Sequence, residues 1–70
     1  MNAARAYLAA KLAALPVAQL QEISLRLALG TTTEDILVAT MAERELEARM
    51  TEADFLAHMA AVDALFDAVA

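Results

Sequence analysis

Two residues in this 70-residue chain have types and spacing that invite chemistry: Asp54 and His58. They lie four apart in a stretch of helical period, where a carboxylate sits one turn from an imidazole and acid–base work is conceivable. Such a pair needs a nucleophile or a second metal ligand to act with. We expect no serine, cysteine or second histidine to complete a nucleophilic or metal constellation within one chain, so the plainer reading is a pair on a helix surface. Cysteine is absent, which removes disulfides and thiolate metal sites, and a single histidine cannot build a usual zinc site. The other carboxylates, Asp63 and Asp67 among them, show no ligand spacing with glycine-rich loops, and no phosphate-binding motif occurs. The expectation is a chain with no catalytic residue, no cofactor and no metal, and therefore not an enzyme.

His58 belongs to the most regular stretch of the sequence, TEADFLAHMAAVDALFDAV over residues 51–69. Phe55, Met59, Val62, Phe66 and Val69 recur at alternating steps of four and three, the period of a helix that buries one seam against other helices. Thr51 is placed to cap this helix, with Asp54 three positions on, and Met50 and Phe55 are spaced for a hydrophobic staple. Ala53, Ala57, Ala60, Ala61, Ala64 and Ala68 form a flat second face. Those alanines are read as exposed helix formers, with close approach of another helix as the sharper alternative.

Upstream, Ala3 to about Leu15 reads as a helix with Ala4, Leu8, Leu12 and Leu15 on one face and Asn2 as its cap. Pro16 then starts a second helix running to Leu29. Leu20, Ile23 and Leu27 form its main stripe and Leu25 and Leu29 a second flank, a pattern that demands burial on more than one side. Gly30 suits the left-handed residue that ends a helix, and Thr31-Thr32-Thr33 supply caps for the next. That third helix, about Thr33 to Met50, is expected to bury its N-terminal end around Ile36, Leu37 and Val38. Its charged C-terminal end, where Glu45 and Arg49 are spaced for a salt bridge of about 0.3–0.5 kcal/mol, is expected to surface. Only Met50 and Thr51 separate it from the last helix, so residues 33–69 form either two helices or one bent one.

Sparse strand formers, one proline and one glycine specify an all-α fold of three to four short helices in a single domain over residues 1–70, with the last two as a helical hairpin. Hydrophobic residues make up 61% of the chain, but much of that is alanine. Chains this short rarely hold a self-sufficient core, and without disulfides or metals the remaining support is self-association. A homodimer built on Phe55, Met59, Val62, Phe66 and Val69 is therefore expected, with Tyr7, Leu25 and Leu29 as secondary contacts at a dimer or partner surface. Met41, Met50 and Met59 either fill gaps in the core or supply an adaptable binding surface. Arg5, Lys11, Glu22 and Arg26 break every long apolar run in the first half, which argues against a membrane span and for a cytoplasmic location.

Charge is unevenly placed: residues 1–33 balance to +2 and residues 34–70 to −7, for a net −5. The acidic half repels nucleic acid and suits either solubility or steering toward a basic protein surface. SLRLALGTTTEDILVATMAE has the outline of a helix-turn-helix, yet its second helix opens with Glu34 and Asp35 and carries Glu43, Glu45 and Glu47, acids that would face phosphates. A DNA-associated regulator or antitoxin is thus the alternative function. An oligomerisation domain cut from a larger chain is a third, although Met1 looks like a natural start.

LPVAQLQEI followed by AERELEARMTEADFLAHM resembles small helical accessory proteins of bacterial phages and other mobile elements, including the phage anti-quorum-sensing family. The likeness lies in a Leu-Pro helix start, a charged helix, the Arg-Met-Thr-Glu-Ala junction and an alanine-rich end. It covers about half the chain and carries no functional residue across. The resemblance implies a helical dimer that binds and disables host proteins. Taken with the acidity and the two-faced last helix, it leads to the expected function, a small interaction module that binds and modulates or inhibits a protein partner.

Overall fold

Pro16 and the threonine run at 31–33 divide the first half of the chain as their chemistry requires. The computed structural model describes residues 3–69 and consists of α1 (Ala3–Ala13), α2 (Val17–Leu27), α3 (Thr33–Arg49) and α4 (Glu52–Val69). Among the described residues there is no strand. Asn2 as a cap and Met1 as a start lie outside the described residues.

Local chemistry sets each boundary. α1 tightens at its end, where the Ala14 and Leu15 N–H groups donate to the carbonyls of Lys11 and Leu12. Pro16 is the N-cap of α2, with φ −63° and ψ 155°, and its carbonyl accepts from Gln19 and Leu20 at 3.1 Å each. Thr32 caps α3 through a 3.0 Å bond from the Asp35 N–H to its Oγ1. Thr51 caps α4 in the same way, accepting from the Asp54 N–H at 3.1 Å. Residues 33–69 are therefore two helices, broken at an extended Met50.

Gly30 corrects an expectation. No described glycine has positive φ, so Gly30 is not a left-handed cap. α2 instead ends at Leu27 in a tight turn, with the Gly30 N–H donating to the Leu27 carbonyl at 3.0 Å. A side chain at position 30 would put its Cβ 2.5 Å from the Cβ of Asp35. Close approach, not backbone hand, explains the glycine.

The centre of the protein is a pairing of α2 with α3, the broadest contact between any two helices. Leu20 and Leu46 are both fully enclosed, and the Ser24 hydroxyl reaches Glu43. Only residues 28–32 join these two broadly packed helices, and a connection that short makes antiparallel neighbours. Leu12 of α1 and Ala42 complete the central cluster, with Leu8, Leu15, Met41, Met50 and Phe55 packed around it. α2 also meets α4, which accounts for apolar residues on two of its flanks.

The last two helices follow one another across Met50 and Thr51 as the expected hairpin requires, but the contact between them is slight, and α4 touches α2 only lightly as well. α3 has one buried stripe, Ala39, Ala42 and Leu46, and α2 already covers it. One more expectation changes, because the N-terminal end of α3 is not its buried end: Ile36 is 57% exposed while the buried residues lie further along. Leu37 and Val38 beside it are only half-buried, and full burial begins at Ala39. The described chain measures 36 × 29 × 17 Å, a slab about two helix layers deep, since packed helices stand ~8–10 Å apart.

Candidate functional site

The residue pair that invited chemistry is not joined. Asp54 is exposed, and among the described residues no ion pair links it to His58. His58 instead turns inward and lies 3.0 Å, Nε2 to Oγ, from Ser24, which lies 2.8 Å from Oε2 of Glu43. The expectation that no serine would join His58 is thus overturned, because antiparallel packing of α2 and α3 and the lean of α4 bring together residues 34 apart in sequence.

Proton counting decides what this trio can do. A carboxylate only accepts, so the single hydroxyl proton of Ser24 is directed at Glu43, and Oγ can receive only a proton from the imidazole. His58 therefore donates from Nε2. In a nucleophilic triad the imidazole takes the hydroxyl proton, the opposite direction. Ser24 is also 0% exposed, beyond reach of a substrate. The arrangement pins three helices through one hydroxyl, and no buried side-chain N or O among the described residues lacks a partner.

A sequence signal for this node existed. Ser24 falls between Leu20 and Leu27 on the stripe of α2, Glu43 between Ala39 and Leu46 on that of α3, and His58 between Phe55 and Val62 on that of α4. Three polar residues on the apolar stripes of three helices have to find one another, because a buried polar group without a partner costs about 1–3 kcal/mol.

A second polar node fastens α1. The Arg49 guanidinium donates to the carbonyl oxygens of Leu15 at 2.8 Å and Leu12 at 3.2 Å, and its Nε lies 3.1 Å from Glu45. The Glu45–Arg49 pair was legible from spacing. Its use as a cationic clamp on the C-terminal carbonyls and negative pole of α1 was not.

The expected interface residues on α4 divide along the helix. Phe55 and Met59 are half-buried and Val62 is buried, so the near half of the seam belongs to the fold of one chain. Phe66 is 48% exposed and Val69 66%. The reason is length: α4 has 18 residues and α2 only 11, so at about 1.5 Å per residue α4 outruns the helix it leans on. Leu56, 58% exposed, adds a third large apolar side chain on this helix. All six alanines of its flat face are exposed, as the plainer reading expected. Of the secondary contacts, Tyr7 and Leu29 are exposed and Leu25 is half-buried. The Tyr7 ring is covered on one face by the Lys11 ammonium, 5.5 Å from its centroid.

Among the described residues, no three histidine, cysteine or acidic side chains are grouped to hold a metal ion, and no helix is long and apolar enough to cross a membrane. No protein-family model, curated protein or solved structure matches this chain.

Proposed function

We propose that this chain is a non-catalytic interaction module that binds a protein partner, such as a host protein, and modulates or inhibits it, and that it self-associates as a homodimer. The observation that carries the reading is the bare distal half of α4, where Phe66 and Val69 continue a seam whose near half is packed. Large apolar side chains standing on a rigid helix beyond the body are the usual anchors of protein contacts, since their burial gives about 25 cal/mol per Å2 of apolar surface. Acidity supports a basic partner surface: α4 carries Glu52, Asp54, Asp63 and Asp67 with no lysine or arginine. Catalysis is outside this reading because the one serine is enclosed and its proton faces a carboxylate.

Affinity capture from a bacterial lysate tests the partner half, comparing the wild-type chain with a Phe66→Glu/Val69→Glu variant. Both substitutions lie on an exposed surface, so the fold is retained. Proteins held by the wild type and lost by the variant support the reading, and identical captured sets refute it. Light scattering at high micromolar concentration tests the dimer half, where a mass equal to one chain counts against it.

A further inference from the structure

α1 and α3 lie side by side with their C-terminal ends tied by Arg49, and between them opens a groove of about 580 Å3. Its apolar wall includes Ile36, Leu37 and Met41, and Arg5 and Arg44 stand at its edges. The one acid in its lining, Glu45, is already engaged by Arg49. Among the described residues neither Arg5 nor Arg44 has an ion-pair or hydrogen-bond partner. On a chain of net charge −5, this is an apolar trough bordered by two uncommitted cations.

The far end of α4 has the complementary character. Asp63, Phe66 and Asp67 share one side of the helix, three and four residues apart, and all three are exposed. Both ends carry a charge that the helix dipole disfavours. α4 places Asp67 in its last turn with no basic residue there, and α1 places Arg5 in its first turn with no acid there. Each group is relieved by a partner of opposite sign, and among the described residues neither has one.

We infer that the groove between α1 and α3 receives the distal half of α4 from a second copy of this chain. Phe66 lies against Ile36, Leu37 and Met41, and Asp63 and Asp67 face Arg44 and Arg5. Groove and helix end are different surfaces, so a reciprocal exchange makes two such contacts and closes a two-fold pair. The inference rests on the self-association proposed above and names the surface on which α4 lands.

Charge exchange on the full-length chain tests it. Arg5→Glu/Arg44→Glu and Asp63→Arg/Asp67→Arg are both surface changes, and Arg5→Glu and Asp67→Arg improve the match to the helix dipoles, so neither variant should unfold. Sedimentation over a micromolar to millimolar series should show the wild-type pair. Either variant alone should have a dissociation constant raised at least about tenfold, and a one-to-one mixture of the two should restore the pair. Two variants that pair as tightly as the wild type overturn the groove while leaving the dimer reading intact. A wild type that stays a single chain throughout overturns both.

Discussion

Replacing Ser24 by alanine removes one oxygen and leaves two elements without their tie. The hydroxyl donates to Glu43 at 2.8 Å and receives His58 at 3.0 Å from a position with no solvent exposure. A hydrogen bond to a charged group is worth about 1.5–3 kcal/mol, and leaving the buried imidazole N–H without an acceptor costs about 1–3 kcal/mol more. Two terms reduce that total. Glu43 is half-buried and regains water, and alanine is a better helix former than serine by about 0.5 kcal/mol. The net loss is about 2–3 kcal/mol. A 70-residue domain has roughly 4–10 kcal/mol in all, so the variant should melt ~10–20 °C lower. Urea titration followed by circular dichroism at 222 nm measures it, and a double-mutant cycle with His58→Ala should return a coupling of about 1 kcal/mol or more. A Ser24→Ala chain within about 0.5 kcal/mol of wild type, or a cycle that closes with no coupling, would refute the claim that one hydroxyl holds the three helices together.

Two further substitutions probe the other devices of the fold. Arg49→Ala strips the clamp from the carbonyls of Leu12 and Leu15, and it should cost about 1–2 kcal/mol and speed amide exchange selectively in α1. Uniform exchange across all four helices would contradict a local role. Gly30→Ala should destabilise by about 1–3 kcal/mol in the same urea assay, because its Cβ meets that of Asp35 at 2.5 Å. A gain in stability there would mean that the 28–32 turn yields without strain.

Much of the fold is legible because its causes are local. Pro16 cannot donate a helical N–H, and Thr51 offers an oxygen to the first free N–H groups of α4, so the boundaries at both sites follow from side-chain chemistry within four residues. The pairing of Glu45 with Arg49 is equally local. The candidate site was legible only in part, because Phe55 and Phe66 look equivalent in a periodic seam. Their different fates depend on where a neighbouring helix stops.

The amino-acid order alone determined an all-helical chain of three to four helices, the breaks at Pro16 and Thr31–Thr33 and the threonine caps, since these are set by interactions spanning a turn or less. Tertiary structure alone decided which stripes meet: that α3 covers α2 more than α4 does, that Ser24 lies between Glu43 and His58, and that α4 overshoots. Helix lengths and antiparallel register, summed over the whole chain, decide those contacts. A periodic pattern specifies which face must be buried, but the partner that buries it depends on what the neighbouring helices leave uncovered.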